Sequence, residues 1–253
     1  MGDLPYMMLA AAMAVTFGAG FVKGAVGFAL PMIMISALGS FLAPQTALAA
    51  VILPTLVSNL WQALRHGWRA ALASVWNFRL YLFFMLIFIA FSAQLVAVLP
   101  QSILLLLIGV PVTFFALVQL LGVHLHLRQS QRWLAEPLIG AGAGFVGGLS
   151  GVWGPPLVVF LTALGTDKRE QMRIQGVVYG LGAVVLAGAH LGSGVLNAAT
   201  LPLSALLVVP TLAGMALGLM LHERMPQAAF RRGTLLVLVV AGLNLIRRAV
   251  WGG

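Results

Sequence analysis

Apolar residues in this chain gather in long blocks rather than alternating with polar ones. Blocks fall near 44–64, 78–98, 103–122, 172–190, 199–220 and 233–245. Their lengths approach the roughly 20 residues that a helix needs to cross the hydrocarbon core of a bilayer. Polar stretches near 39–46, 65–77, 99–102, 123–134, 165–173, 191–198 and 221–232 separate them. Two further stretches, 6–42 and 137–164, are apolar but broken by glycine and proline. The pattern predicts an all-α polytopic membrane protein, with Tyr6 onward belonging to the mature chain. The first residues carry no Lys or Arg, so the positive n-region of a secretory signal is missing.

The two broken stretches are copies. Gly18-Ala19-Gly20-Phe21-Val22-Lys23-Gly24-Ala25-Val26-Gly27 precedes Pro31, and Gly142-Ala143-Gly144-Phe145-Val146-Gly147-Gly148-Leu149-Ser150-Gly151 precedes Pro155. The shared string G-A-G-F-V-x-G-x-x-G-x-x-x-P repeats without gaps at an offset of 124, which also carries His66 onto His190. We therefore read two homologous halves, 1–122 and 137–253, joined by a basic linker at 123–136. Each half is a broken segment followed by three spans. Internal duplication with broken helices is a transporter signature.

Charge placement bears on topology. If each broken segment crosses once, the loop arginines and lysines divide seven against six, with no bias. If each enters and returns as a hairpin, Arg65, Arg69, Arg79, Arg128, Arg132, Lys168, Arg169, Arg173, Arg224, Arg231 and Arg232 share one side, against Arg247 and Arg248. Only the second arrangement obeys the positive-inside rule. A hairpin plus three spans is odd in crossings, so it predicts an inverted repeat with the N-terminus outside. Its weak point is the first arm of the second hairpin, 137–146, which rises only about 15 Å.

Composition narrows the function. Hydrophobic residues make up 61% of the chain and charged residues 8%, where a soluble domain carries about 25% charged. The excess of 14 Lys+Arg over 5 Asp+Glu reads as juxtamembrane charge, and no soluble basic domain exists to hold a nucleic acid. With no cysteine, thiolate chemistry and Cys-ligated metals are excluded, and we expect no cofactor. The acidic residues Asp3, Glu136, Asp167, Glu170 and Glu223 all fall in loops or at segment ends. Sodium and proton carriers usually place a carboxylate at mid-membrane, so cation transport is disfavoured.

The candidate chemistry lies at the breaks. Gly24, Gly27, Gly147, Gly148 and Gly151 permit backbone angles closed to other residues, and Pro31, Pro155 and Pro156 suit the first turn of a new helix. A helix start within the membrane aims N–H groups and a positive dipole end at a ligand, and the ligand suited to it is an anion. The competing reading is close helix packing through small residues. Lys23 sits inside the first apolar segment with no obvious carboxylate partner; an anion would supply one, and snorkelling is the alternative. Gly147 takes its place in the second half. Asn59, Gln62, Gln175 and Tyr179 lie on the helices after the breaks, as ligand contacts or as interhelical hydrogen bonds. His66 and His190 end those helices; together with Arg173 they are candidates for gating or coupling, and interfacial anchoring is the plainer role for each histidine.

Gly148-Leu149-Ser150-Gly151 and Ala189-His190-Leu191-Gly192 resemble the serine and histidine motifs of rhomboid intramembrane proteases. Against a Ser150–His190 pair stand three observations. The same glycine frame recurs with Val26 in place of Ser150, Gly154-Pro155-Pro156 interrupts the helix after the serine, and no His-x-x-x-Asn motif precedes it.

The G-F-x-x-G-x-x-G-x-x-x-P break opening each half, the two-half organisation, the length, and the basic stretch Lys168-Arg169 leading to Arg173 resemble the sulfite exporter TauE/SafE family, also called the toluene sulfonate uptake permease family. The resemblance covers essentially the whole chain. It implies a multi-pass inner (plasma) membrane carrier of sulfite, sulfonates or related organic anions, often outward. We expect a secondary transporter rather than an enzyme. Its partners would be a small anion and the lipid bilayer, and a homodimer is an assembly open to it. The anion would sit between the breaks, held by backbone N–H groups at Gly24–Gly27 and Gly148–Gly151 and by Lys23.

Overall fold

Lipid offers no hydrogen bonds, so a chain this apolar must satisfy its backbone internally, and a helix does so within one segment. The computed structural model describes residues 6–93, 101–123, 126–150, 154–192 and 195–251, and every regular element among them is helical. The first half contributes α1 (Tyr6–Val26), α2 (Leu30–Leu38), α3 (Pro44–Leu64), α4 (Trp68–Asn77), α5 (Arg79–Ala93) and α6 (Gln101–Leu120). The second contributes α7 (Arg132–Ser150), α8 (Gly154–Ala163), α9 (Lys168–Gly192), α10 (Leu201–Arg224) and α11 (Gln227–Trp251). Among the described residues four helices, α1, α3, α10 and α11, are long and apolar enough to cross a membrane. The pair α4–α5, bent by 77° at Phe78, makes a fifth if it is one span.

Both broken segments take the same form, a long helix followed by a short one. α1 has 21 residues and α2 has 9; α7 has 19 and α8 has 10. At 1.5 Å per residue the short members rise about 14–15 Å, half of a hydrocarbon core. The second segment starts at Arg132, five residues earlier than its apolar pattern suggests. Arg132 bonds Glu136 one turn on at 2.5 Å, and Pro137 is accommodated inside the helix. The first arm therefore rises about 28 Å rather than 15 Å. The stretch 65–77, expected as loop, holds α4. Its tryptophans Trp68 and Trp76 are exposed, with Arg69 and Arg79 stacked on them at 5.4 and 4.9 Å, a pairing suited to a membrane interface.

The chain forms two compact units that cut across the sequence halves. One comprises Met1–Ala71 with Met172–Met225, the other Leu72–Gln171 with Pro226–Gly253. In the first unit α1 runs along α10, which also meets α3, and α2 bridges α1 to α3. In the second, α7 runs along α5 and α6 along α11. The 124-residue offset carries α1 onto α7 and α5 into α10, so the two long pairings correspond. The broken helix of each half packs on the second span of the other.

Glycine makes both pairings close. A side chain at Gly20 would collide with the Thr211 carbonyl, and one at Gly144, its copy, with the Met85 carbonyl. On α1 and α10 the spacing is small-xxx-small on both faces, Gly20 and Gly24 against Gly214 and Gly218. The short α2 is held within its unit: Leu30, Met34 and Leu38 pack among Ala12 and Ala19 of α1, Ala47, Ala50 and Val51 of α3, and Leu203 and Leu207 of α10. Such burial is the condition under which non-helical backbone is tolerated at membrane depth. In the second unit, Phe83, Ile87 and Phe91 of α5 leave an exposed apolar stripe suited to lipid.

Candidate functional site

The first break is a three-residue interruption between α1 and α2. Gly27 has φ 90° and Ala29 φ 75°, both left-handed. Glycine adopts that region readily, whereas for alanine it costs about 1–2 kcal/mol. Gly27 donates its N–H to the Lys23 carbonyl at 2.7 Å, completing α1. The N–H groups of Phe28, Ala29, Leu30 and Met32 have no hydrogen-bond partner among the described residues, as befits the start of α2 with Pro31 in its first turn.

Three helices of the first unit place side chains around this break. Lys23 lies in the last turn of α1, one turn before Gly27; Asn59 and Gln62 are nearly one turn apart on α3, and Gln175 and Tyr179 one turn apart on α9, so each of these two pairs shares a helix face. Lys23, 1% exposed, donates from Nζ to Asn59 Oδ1 at 2.5 Å. The Tyr179 ring lies 5.9 Å from that nitrogen, within cation–π range. Gln62 Nε2 donates to the carbonyls of Gly27 at 3.1 Å and Met172 at 2.7 Å, tying the break to α9. Gln175 is fully buried against Gly27, where a side chain would strike its Oε1. Neither Gln175 Oε1 nor Nε2 finds a partner, nor does Gln62 Oε1.

Charge is unbalanced here. The ion pairs Arg65–Glu223 and Arg132–Glu136 do not involve Lys23. In the first unit Glu223 is the sole described carboxylate, and its partner is Arg65. A buried ammonium with one neutral acceptor, orphaned amide groups and an open helix start is an incomplete electrostatic arrangement.

Not every expected residue joins this cluster. Gly24 faces α10, where a side chain would lie 2.9 Å from the Leu219 nitrogen, so it allows the two helices to pack closely. Gly147, Gly148 and Ser150 belong to the last turns of α7 in the second unit, and Gly151 lies outside the described residues. His66 is exposed in the turn after α3. His190 is part of α9, with its side chain outside the described set, and Arg173 is half-buried near the start of α9 and already engaged. What sequence reasoning missed is the role of Asn59 as the Lys23 acceptor and the left-handed Ala29. The shared-face spacings of the α3 and α9 pairs were the available signal for the first; alanine gives none for the second.

A family model, sulfite exporter TauE/SafE, matches residues 12–245. The chain belongs to the TauE/SafE family. No curated protein and no solved structure matches it. The match takes in both breaks and every residue of the Lys23 cluster. Family and apolar helices together make this a multi-pass membrane protein of a transport family. Nothing in the match supports the serine-protease alternative at Ser150 and His190.

Proposed function

We propose that the chain is a secondary transporter of small sulfur oxyanions, sulfite or sulfonates, in the inner (plasma) membrane. The observation that carries this reading is the buried Lys23 ammonium, bonded to Asn59 and facing no carboxylate among the described residues of its unit. The anion binds beside Lys23, takes hydrogen bonds from the Gln175 amide and from the open N–H groups of α2, and is exposed alternately to the two sides of the bilayer. Family membership supports the transport class, and the scarcity of buried carboxylates supports an anionic cargo.

Flux in proteoliposomes tests it, with sulfite, methanesulfonate, sulfate and acetate offered separately. Sulfite or sulfonate flux that disappears in Lys23→Ala and in Gly27→Leu is expected; unchanged flux in both variants removes the proposed site. The inverted-repeat topology belongs to the same proposal, supported by the charge bias of the loops and by the matched α1–α10 and α7–α5 pairings. The chain lacks cysteine, so single cysteines at positions 69, 128, 167 and 223 are simple to introduce. All four should label from one face, and labelling divided between faces refutes the topology.

A further inference from the structure

The second unit contains a cavity, lined by Phe230 and by several polar side chains, that the Lys23 cluster does not use. It encloses about 140 Å³ and lies among the loop Gly165–Thr166, His126 of the linker, Gln171 in the first turns of α9, and Gln227, Arg231 and Thr234 along one face of α11. For scale, a cavity of about 150 Å³ admits benzene, so four to six non-hydrogen atoms fit here.

Three of its lining side chains carry a buried polar atom without a partner. Thr162, Gln171 and Thr234 all line the cavity and are all more than nine-tenths buried, and Thr162 Oγ1, Gln171 Nε2 and Thr234 Oγ1 have no partner. Orphaned buried donors are rare in folded proteins and point to something that satisfies them. The surrounding frame is held in place: Leu127 N donates to the Ala163 carbonyl at 2.8 Å, Lys168 N to Gln227 Oε1 at 3.0 Å, and Gln227 Nε2 to the Thr166 carbonyl at 3.3 Å.

The sign of the ligand follows from the lining. Arg231 supplies fixed positive charge; one of its nitrogens donates to Gln119 Oε1, and the guanidinium carries further donors. The lining contains no carboxylate. The N-termini of α9 and α11, at Lys168 and Gln227, both adjoin it, adding positive dipole ends. From these observations we infer that the cavity formed by Thr162, Gln171, Arg231 and Thr234 is a binding site for a small inorganic oxyanion, separate from the Lys23 cluster. This site does not depend on the proposed transport through Lys23.

The test uses the full chain in detergent carrying Lys23→Met, so that the first cluster cannot contribute. Sulfate, phosphate and sulfite are titrated separately against chloride at equal ionic strength, with Tm as the readout. An oxyanion at tenfold its Kd should raise Tm by about 3–5 °C in a chain of this size. Adding Gln171→Leu and Thr234→Val should abolish that shift while leaving the ligand-free Tm equal or higher, because two unsatisfied polar groups are gone. Thr234→Val alone, nearly isosteric, should weaken binding about tenfold and serves if the double variant fails to fold. A Tm that no oxyanion raises above chloride means the cavity holds water only. A shift that survives Thr234→Val undiminished places the anion elsewhere. Either result overturns the site.

Discussion

The two broken segments share a packing scheme and differ in chemistry. In both, a long helix meets the second span of the other half through a glycine at an equivalent place, Gly20 against Thr211 and Gly144 against Met85. The first segment adds Lys23, buried and bonded to Asn59, where the second carries Gly147. The cavity of the second unit draws instead on the α8–α9 loop and α11. Packing across the repeat is a backbone property, so any residue larger than glycine disturbs it in either copy. The charge is a property of one side chain and is free to differ. The duplication thus supplies a scaffold, and the function has to be sought where the copies diverge.

The largest expected effect tests the shared part. Gly20→Leu and Gly144→Leu each drive a side chain into a facing carbonyl, and overpacking of this kind against backbone costs about 3 kcal/mol or more. Both variants should lose the monodisperse peak in detergent size exclusion. Tolerance of one and not the other would show that the two pairings are not energetically alike.

Next in size is the divergent part. Lys23→Met should cut sulfite or sulfonate flux about 100-fold, equivalent to about 2.7 kcal/mol of lost anion interaction. Its Tm should hold or rise, since exchanging a buried charge for an apolar side chain of similar volume is often stabilising. A fall in Tm with flux intact would make Lys23 a structural residue. Asn59→Leu should act more mildly on flux, about 10-fold, and should lower Tm, because it leaves the ammonium without its acceptor at a cost of about 1.5–3 kcal/mol. In the double variant the Tm penalty of Asn59→Leu should largely vanish, a coupling that a double-mutant cycle measures directly.

Much of this was legible in the chain. Gly27 and Pro31 mark the first break because each residue type has one conformational use there, and Lys23 stands out because its apolar surroundings make it costly. Hydropathy alone misplaced α4 and the start of α7. The run Trp68–Asn77 mixes arginine and serine into an alanine-rich helix, and Arg132 and Glu136 neutralise each other before the apolar stretch begins. Residues joined only by tertiary structure left no local mark. Thr162, Gln171 and Thr234 are three ordinary polar residues until α8, α9 and α11 bring them to one cavity. The exchange of helices between halves also leaves no local pattern, since it concerns which face each span finds.

The smallest expected effect examines the break itself. Ala29 is buried at φ 75° with no side-chain cap. Ala29→Gly removes a strain of about 1–2 kcal/mol, and the extra freedom of glycine in the unfolded chain returns about 0.4–1 kcal/mol of that. The net gain is about 0.5–1 kcal/mol, a rise in Tm of about 2 °C. Gly27→Ala must move the opposite way, because φ 90° disfavours alanine and the added methyl strikes Gln175. Opposite signs two residues apart would mean that the backbone angles themselves hold the break open. A loss of stability in Ala29→Gly would mean instead that the buried methyl is worth more than the strain. The break would then be held by side-chain packing around α2, and the copied glycine frame would matter for helix contact alone.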